Sequence, residues 1–506
     1  MKYRRLHTAF LAIITGILSS SSLLAKKHPN VLFIIFDDLN TRVSTSGYPN
    51  MITPNFDRLA AEGMTFNRAY CQYPVCGPSR ASLLSGLYPQ SSGVINNFTD
   101  IRNTRPRAKS LPQTFKEQGY WTGSVGKIFH NSKTNHEGVA WDEFHYFENE
   151  ELPMVTAVRE KWEKENGPID RSGENRKAWR EFLLQFAPQT MNQKPGWGPT
   201  GLRDEEHKDG KNARQVVSWL DQESYGDKPF FMAVGIHKPH GPFIAPKKYF
   251  DLYPTKDLEI MPASLKYWET VDKIAQTGRH KGFDFEFGVE NEALRREYTQ
   301  AYHACISYVD AQIGLVFDAL KKSGEWDRTI IVMTSDHGYL LGQKFMWGKV
   351  FLWDSCAKVP FIVRVPGITK AGSSSESIIE LLDIFPTLTD LAGIDAPEYL
   401  QGKSIRPILE NPQVETKSYA YTVVQRRNQV GRAISGKRFN YIAWPNGAEE
   451  LYDLTEDSKE LVNLAKSSEH TKQLEEMRVY LVKVEAKAEE HSTNATKAAL
   501  EKSMGR

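Results

Sequence analysis

Short clusters of acidic, basic and imidazole side chains follow four of the apolar runs in this sequence. They are Asp37-Asp38, Gly126-Lys127 with His130, His237-Lys238-Pro239-His240, and Asp336-His337-Gly338. A single Asp pair or a single His after a strand is usually a turn or a helix cap. Four such clusters after four strands predict one site, because ligands of open α/β sheets bind at the carboxyl ends of the strands.

The carboxylates predict a metal site. Asp37, Asp38 and Asp336 cannot stay ionised together without a cation. Hard oxygen ligands favour Ca²⁺ or Mg²⁺ over zinc. His337 is an unusual ligand for such a cation and could instead contact substrate or orient Asp336. Further positive charge predicts an anionic substrate, and it comes from Lys127, His237 and Lys349.

The elements that must position these clusters form an alternating strand and helix pattern. Continuous apolar runs predict strands buried on both faces at 31–36, 121–125, 229–236, 329–334 and 359–365. Helices are predicted at 54–63, 110–119, 290–324 and 376–393, the last interrupted at Pro386. This alternation predicts an α/β fold with a large, mostly parallel sheet flanked by helices.

The pattern changes near Asn411-Pro412. Short apolar runs joined by polar turns predict an antiparallel sheet at 419–424, 430–434 and 439–444. A charged helix is expected at 468–490, with a frayed tail after it. We therefore predict a catalytic domain at 26–412 and a smaller C-terminal subdomain at 413–506. Residues 138–228 have little periodicity and are interpreted as an insertion that is functional or mobile.

Composition excludes several classes of protein. The 506 residues are 40% hydrophobic and 25% charged, and 64 Lys+Arg against 62 Asp+Glu leave a net charge of +2. This balance argues against nucleic-acid binding and against an acidic disordered chain. Four cysteines exclude a disulfide-rich scaffold. For Cys71, Cys305 and Cys356 we expect buried free thiols, with a Cys305–Cys356 disulfide as the alternative. Oligomeric state stays open.

The N-terminus has the pattern of a signal peptide. Lys2, Arg4 and Arg5 precede the apolar run Thr8–Leu18, and cleavage is expected near Ala25. The alternative is an uncleaved anchor, but the run is shorter than the ~20 residues of a comfortable membrane span. The sequence predicts an exported protein, periplasmic or extracellular, or in a lysosomal-type lumen, with no membrane attachment after cleavage.

The segment Cys76-Gly77-Pro78-Ser79-Arg80, followed by Leu84-Ser85-Gly86, carries the most specific signal. It resembles the signature of the type I sulfatase family, in which the Cys is oxidised to formylglycine, although Leu87 stands where the family usually has Arg. The four clusters and Lys349 are similar to the pattern of the iduronate-2-sulfatase subgroup. The resemblance runs from about residue 28 to 465.

The resemblance implies an alkaline-phosphatase-like sandwich and a sulfuric ester hydrolase. It implies one Ca²⁺ per chain, held by Asp37, Asp38, Asp336 and His337 together with the modified Cys76. A formylglycine-generating or sulfatase-maturating enzyme would be a partner.

The resemblance also assigns roles in the reaction. Cys76 becomes the nucleophile, on a helix expected to begin within Ser79–Leu84. Arg80 and Lys127 stabilise its oxygen, and His130 assists elimination. His237 and Lys349 bind sulfate and serve the leaving group.

Other functions stay open to different degrees. A Cys-dependent phosphatase loop needs Arg six positions after the Cys. This chain has Ser82 there, which argues against that function. A phosphomonoester or phosphonate hydrolase on the same fold is a competitor, because phosphate and sulfate are both tetrahedral anions. The alternative of another class is an inactive exported sugar-binding protein. The implied substrate is a sulfated saccharide, with uronate-2-sulfate as the subgroup's example.

Overall fold

The large sheet is the frame of the protein. The computed structural model describes residues 28–130, 139–148, 153–169, 173–184, 190–191, 194–261, 269–277 and 291–505, so the predicted signal peptide lies outside the described residues. Nine strands of this part form the sheet: β1 (Asn30–Asp37), β2 (Met64–Tyr70), β3 (Trp121–Gly126), β4 (Glu143–His145), β5 (Phe230–Pro239), β6 (Thr329–Ser335), β7 (Lys358–Arg364), β8 (Ser373–Ser375) and β9 (Ile379–Glu380).

The strand order is β8-β2-β7-β6-β1-β5-β3-β4, with β9 also beside β2. Strands β6, β1, β5, β3 and β4 are parallel to one another. In this register Phe33 of β1 lies between Val332 of β6 and Ala233 of β5. Strand β7 runs antiparallel to both β6 and β2. The predicted mostly parallel sheet is confirmed. Strand β2 was not predicted, because Asn67 and Arg68 interrupt its apolar pattern.

Helices cover both faces of the sheet, which explains why the central strands are continuously apolar. All eight residues of β1 are buried. Its side chains alternate between two cores, with Leu32, Ile34 and Phe36 on one face and Val31, Phe33 and Ile35 on the other. The first core contains α1 (Pro54–Glu62), α4 (Lys208–Asp221) and α5 (Glu292–Lys322), and the second contains α2 (Cys76–Ser85), α3 (Leu111–Glu117) and α6 (Ile384–Ala392).

The predicted helix 376–393 is wrong in its first half. Residues Ile379–Glu380 form β9, and α6 begins only at Ile384. Tertiary pairing with β2 and the buried ion pairs of Lys417 with Glu380 and Asp383 hold this segment out of a helix. Pro386 therefore lies in the first turn of α6, where a missing N–H costs no hydrogen bond, and it interrupts nothing.

The C-terminal region contains the predicted antiparallel sheet. Its strands, in order, are β10 (Ala420–Arg426), β11 (Gln429–Ser435), β12 (Phe439–Ala443) and β13 (Glu449–Asp453). The fourth strand was not predicted. Helix α7 (Thr471–Glu489) packs its Leu474, Met477 and Leu481 into the core of this sheet. The predicted boundary at 412–413 stays a prediction.

The tail after residue 490 was expected to be frayed, and this is wrong. It forms a further helix, α8 (Asn494–Ser503), whose N-cap Thr493 accepts a hydrogen bond from the Thr496 amide at 3.2 Å. Gln425 and Asn96 donate to Ser503 at its other end, each at 2.8 Å. These long-range contacts explain why a charged, low-complexity segment becomes ordered.

The remaining α-helices of the described residues are short or lie outside the two cores described above, and they are Pro153–Asn166, Gly173–Leu184, Pro89–Ser92, Ile101–Thr104, Lys247–Phe250, Lys273–Gln276, Asp354–Ala357 and Arg406–Glu410. Three two-stranded ribbons complete the described chain, pairing Thr190–Met191 with Lys194–Pro195, Trp197–Thr200 with Phe243–Pro246, and Leu340–Leu341 with Trp347–Gly348. Cys71, Cys305 and Cys356 are buried free thiols, as expected, and Cys76 is buried as well. None of the described helices is long and apolar enough to cross a bilayer.

Candidate active site

The four predicted clusters meet at the carboxyl edge of the large sheet. Strand β1 ends at Asp37, β3 is followed by Lys127, and β6 is followed by Asp336. Strand β5 is longer than predicted and contains His237. Because these strands are parallel neighbours, their ends bring together residues that are distant in the sequence, as when Asp336 N donates to Phe36 O at 3.1 Å.

Cys76 is the first residue of α2, three positions before the expected start. Its side chain is 1% exposed. The thiol donates to Asp37 Oδ1 at 3.1 Å, and its sulfur lies 3.2 Å from Lys349 Nζ and 3.4 Å from His337 Nε2. Burial, with a smaller contribution from Asp37, raises the pKa of the Cys76 thiol to about 12. An unmodified Cys76 is therefore a neutral thiol at neutral pH, and a poor nucleophile.

Three buried carboxylates and an imidazole surround that sulfur. His337 Nε2 lies 3.3 Å from Asp38 Oδ1 and 3.6 Å from Asp336 Oδ1. One ligand atom each from Asp37, Cys76, Asp336 and His337 lies within 4.8 Å of the others. Asp38 has a left-handed backbone, with φ of 68°, and its amide donates to Asp336 Oδ1 at 3.2 Å. This donor set, mostly carboxylate oxygen, fits a hard divalent cation.

Three cations contact the same carboxylates. Lys127 Nζ is 2.5 Å from Asp37 Oδ2, Lys349 Nζ is 2.7 Å from Asp38 Oδ1, and Arg80 Nε is 2.8 Å from Asp336 Oδ2. Burial alone would raise the pKa of Asp37, but Lys127, His240, Arg80 and Lys349 together hold that pKa well below its usual range. Burial by itself would lower the pKa of Lys127 and of Lys349, but the neighbouring carboxylates raise both pKa values above the usual value for lysine.

His237 lies on β5 beside a second histidine that the sequence placed in the motif without a role. His237 and His240 have ring centroids 5.0 Å apart, and His240 Nε2 lies 3.9 Å from Asp38 Oδ2. His240 also belongs to a second group of ligand atoms within 4.8 Å, with Asp37, Asp38 and Cys76. Burial and the neighbouring His240 lower the pKa of His237 well below its usual value.

Asp209 of α4 supports the end of β5 at His237 and Lys238, and sequence reasoning missed it. Its carboxylate accepts from the His237 amide at 2.7 Å and from the Lys238 amide at 2.9 Å. Asn212, one turn along the helix, donates to Asp209 Oδ1 at 3.2 Å. Helix α4 lies inside the predicted insertion, so part of that segment positions the site. Nothing in the local sequence distinguishes Asp209 from a helix-capping residue.

His130 opens onto a cavity of about 460 Å³ at the start of α2. Its walls include Gly77 and Arg80 on one side and the segment Asn97–Ile101 on the other. Asn97 Oδ1 accepts from the Gly77 amide at 2.9 Å, next to Cys76, whereas Phe98 beside it is 97% exposed. Burial and Lys127 lower the pKa of His130 to about 3, so its ring is neutral at physiological pH.

Comparison with known proteins agrees with this geometry. The sulfatase family ("Sulfatase") matches residues 29–394. The chain belongs to the sulfatase family. It is therefore a hydrolase of sulfate esters. Residues 342–487 of this sulfatase also match the family described as "N-sulphoglucosamine sulphohydrolase, C-terminal", which covers most of the antiparallel sheet and α7.

Two curated relatives extend over most of the sulfatase. A "Sulfatase" of Formosa agariphila is 31% identical over 474 residues, which are 90% of this chain and 87% of the relative. The "Iduronate 2-sulfatase" of Homo sapiens is 30% identical over 409 residues, which are 73% of this chain and 70% of the relative. The resemblance of the motifs to that subgroup is confirmed.

Solved structures support the same fold. A protein solved in complex with its substrate D-glucosamine-2-N,6-O-disulfate superposes with a TM-score of 0.69 at 23% identity, covering 93% of this chain and all of that one. The phosphonate monoester hydrolase of Agrobacterium radiobacter gives a TM-score of 0.70 at 23% identity, covering 91% of this chain and 96% of that one. The predicted alkaline-phosphatase-like architecture is confirmed for this sulfatase.

Proposed function

We propose that this sulfatase removes a sulfate ester from a saccharide, with Cys76 oxidised to formylglycine and one Ca²⁺ per chain beside it. The observation that carries the proposal is the position of Cys76 at the first residue of α2, within 3.4 Å of Asp37, Lys349 and His337. The Lys349 ammonium and the N-terminus of α2 would stabilise an oxyanion at this position as it attacks a sulfate, and the carboxylates would hold the metal cation beside it.

The surroundings of Cys76 support its oxidation. A thiol whose pKa is raised to about 12 is not activated for attack. An aldehyde at this position, hydrated to a geminal diol, would supply one hydroxyl to attack sulfur and a second to release sulfate. Because Cys76 is 1% exposed in the folded chain, the modifying enzyme would act on Cys76-Gly77-Pro78-Ser79-Arg80 before folding is complete. This maturating enzyme is the proposed protein partner.

The carboxylate cluster supports the cation. Asp37, Asp38 and Asp336, with His337, would hold Ca²⁺, and the oxidised Cys76 would be a further ligand. Bound there, Ca²⁺ would balance the carboxylates and favour the ionised form of a neighbouring hydroxyl. The contacts of Lys127 and Lys349 with Asp37 and Asp38 support this proposal, because buried carboxylates are stable only beside positive charge.

The remaining site residues have separate tasks. Arg80 and Lys127 stabilise negative charge on the attacking oxygen, and the neutral ring of His130 accepts a proton as sulfate leaves. Lys349 and His237 bind the sulfate and serve the departing alcohol. His237 is neutral in the free protein because its pKa is depressed. The charge of a bound sulfate monoester would raise that pKa and allow the ring to carry the proton.

A sulfated saccharide is the proposed substrate. The named relatives include iduronate 2-sulfatase and an "N-acetylglucosamine-6-O-sulfatase" of Bacteroides thetaiotaomicron, which is 27% identical over 489 residues. The cavity beside His130 offers room for a sugar ring, and the exposed Phe98 at its rim offers an apolar face. Uronate-2-sulfate is the first candidate, because the motifs match the iduronate-2-sulfatase subgroup.

A phosphonate or phosphomonoester hydrolase is the second candidate, favoured only by the shared fold of the phosphonate monoester hydrolases. The inactive sugar-binding protein is the third. A desulfation screen over defined sulfated oligosaccharides, with phosphonate and phosphate monoesters in parallel, separates them. We expect kcat/KM to be highest for one sugar sulfate. A higher kcat/KM for a phosphonate monoester would contradict the proposal, and binding without any turnover would favour the third candidate.

Export is proposed from the N-terminal segment Lys2–Ala25. It agrees with a saccharide polymer as substrate, because such polymers are met outside the cytoplasm. Comparison of the N-terminal sequence of the protein in the medium or periplasm with that in the cytosol tests it. A mature chain beginning near Lys26 is expected, and an intact chain confined to the cytosol would contradict export.

A further inference from the structure

Arg426, the last residue of β10, is a buried cation that the proposed chemistry does not use. It is 2% exposed and forms no ion pair with any described residue. Burial lowers the pKa of its guanidinium to about 10, so the group is still charged at neutral pH. Burying a charge without an opposite charge is costly. A structural role of the buried Arg426 guanidinium would offset this cost.

The Arg426 guanidinium donates hydrogen bonds to backbone carbonyl groups and not to a carboxylate. Its Nη1 donates to the Gln425 carbonyl at 3.0 Å, and its Nη2 donates to the Val350 carbonyl. The Cζ atom lies 5.6 Å from the ring centre of Phe351 and 5.4 Å from that of Trp444. Arg426 therefore connects the C-terminal sheet to the segment around residue 350, which belongs to the site domain.

Val350 has a backbone conformation that it would not adopt alone. Its φ is +76°, a left-handed value that is a genuine outlier for a β-branched residue. Its amide donates to the Pro74 carbonyl at 3.0 Å, two residues before Cys76. With the carbonyl held by Arg426, both polar groups of Val350 are fixed from opposite sides. Such a conformation persists only where the surroundings over-determine it.

Lys349 directly precedes this residue. Its Nζ reaches Asp38 Oδ1 at 2.7 Å and Cys76 Sγ at 3.2 Å. The φ of Val350 sets the direction from which the Lys349 backbone enters the site, because it is the rotation about the bond next to the 349–350 peptide. A change toward the ordinary negative φ would therefore displace Lys349 from the sulfate position.

We propose that Arg426 is a positioning residue for Lys349. By holding the Val350 carbonyl it keeps Val350 left-handed and thereby keeps the Lys349 ammonium at Cys76. The C-terminal sheet thus completes the active site without contributing a group that touches substrate. This inference rests on the proposed role of Lys349.

The experiment is a double-mutant cycle on the matured enzyme. Arg426→Gln should lower kcat/KM by about tenfold to a hundredfold, the loss typical of a misplaced catalytic group. In a Lys349→Ala background the same change should cost less than about twofold, because the residue it positions is gone. In a Val350→Gly background the loss should also shrink, because glycine adopts a positive φ without support.

Arg432→Gln is the matched control. Arg432 lies on the adjacent strand β11 and pairs with Glu485 at 2.9 Å, and its described hydrogen bonds and ion pairs involve Glu485 and not residues 349–351. It should lower the Tm and leave kcat unchanged, whereas Arg426→Gln should lower kcat even when the two variants have the same Tm. If Arg426→Gln is too unstable to purify, Arg426→Lys replaces it in the double-mutant cycle. Lysine keeps the positive charge but lacks the planar set of N–H donors of the guanidinium.

The outcomes separate the positioning role from the role of Lys349 itself. A full Arg426→Gln loss in the Lys349→Ala background would overturn positioning while leaving Lys349 in place. An unchanged kcat/KM in Lys349→Ala alone would remove Lys349 from the proposed chemistry and this inference with it. Equal kcat losses for Arg426→Gln and Arg432→Gln at equal Tm would mean that Arg426 only stabilises the C-terminal sheet.

Discussion

The buried guanidinium of Arg80 donates from Nε to Asp336 Oδ2 at 2.8 Å, and neither side chain is more than 1% exposed. The same guanidinium donates to the carbonyls of Phe36, Lys127 and Ile128. One side chain of α2 is therefore bonded to the ends of β1, β3 and β6. This explains how a helix beginning at Cys76 is held in register with the carboxylates of three strands.

Arg80→Ala should be strongly destabilising, because it leaves Asp336 buried without its partner. Removing one member of a buried ion pair costs about 3–5 kcal/mol. Chemical unfolding of the chelated protein measures this, since a bound cation would otherwise compensate Asp336. Arg58→Ala is the control, because its partner Asp318 is 67% exposed and such pairs contribute about 0–1 kcal/mol. A loss below about 1 kcal/mol for Arg80→Ala would contradict this account.

Removal of divalent cations should abolish turnover, and added Ca²⁺ should restore it. Binding to the folded chain alone should also raise the Tm with Ca²⁺ concentration, which gives a readout that does not depend on activity. Asp38→Ala should weaken or abolish both responses, and Asp251→Ala, on an exposed Lys247 pair, should leave both unchanged. Stoichiometric zinc in the active protein, without calcium or magnesium, would contradict the assignment.

His237→Ala should damage hydrolysis of a sugar sulfate much more than hydrolysis of nitrophenyl sulfate. A sugar alkoxide needs a proton as the S–O bond breaks, a contribution of ~10²–10⁴-fold, whereas a phenolate leaves with little help. Comparing the kcat/KM ratios for the two substrates cancels any shared loss of binding. Equal losses on both would leave His237 as a sulfate-binding residue only.

His130→Ala is the matched comparison. His130 is proposed to act when sulfate is released, after the sugar alcohol or the nitrophenol has already left. The substitution should slow both substrates alike once sulfate release limits turnover. A loss confined to the sugar sulfate would exchange the roles assigned to His130 and His237.

His303 should make stability depend on pH. It is 3% exposed, its Nε2 has no partner among the described residues, and burial, with a smaller effect of Arg42, lowers its pKa well below 6.5. A depressed folded-state pKa gives stability that is present above about pH 6.5 and lost as pH falls toward the folded pKa, by about 1.4 kcal/mol per pH unit. His303→Phe should lose less stability than wild type between pH 6.5 and 5. Parallel unfolding curves would show that His303 does not titrate between the two states.

The site was predictable because its residues are tied to local patterns. Asp37 and Asp336 directly follow buried apolar runs, and Cys76 lies in an ordered motif of five positions. The sequence alone therefore predicted that these three residues share one site. Asp209 and Arg426 were missed because each acts through backbone groups of distant residues, His237 and Val350, which no local pattern specifies. The same holds for β9 and α8, whose conformations depend on β2 and on Asn96 and Gln425. His240 was named in the same polar cluster as His237, but its position beside Asp38 was not predicted.

The central claim is that Cys76 acts as an aldehyde and not as a thiol. Mass spectrometry of the peptide containing Cys76, from fractions of differing specific activity, tests it most directly. The account predicts that activity rises in proportion to the fraction carrying an aldehyde at Cys76, and that Cys76→Ser folds with an unchanged Tm but does not turn over. A fully active preparation in which Cys76 is entirely an unmodified thiol would contradict it.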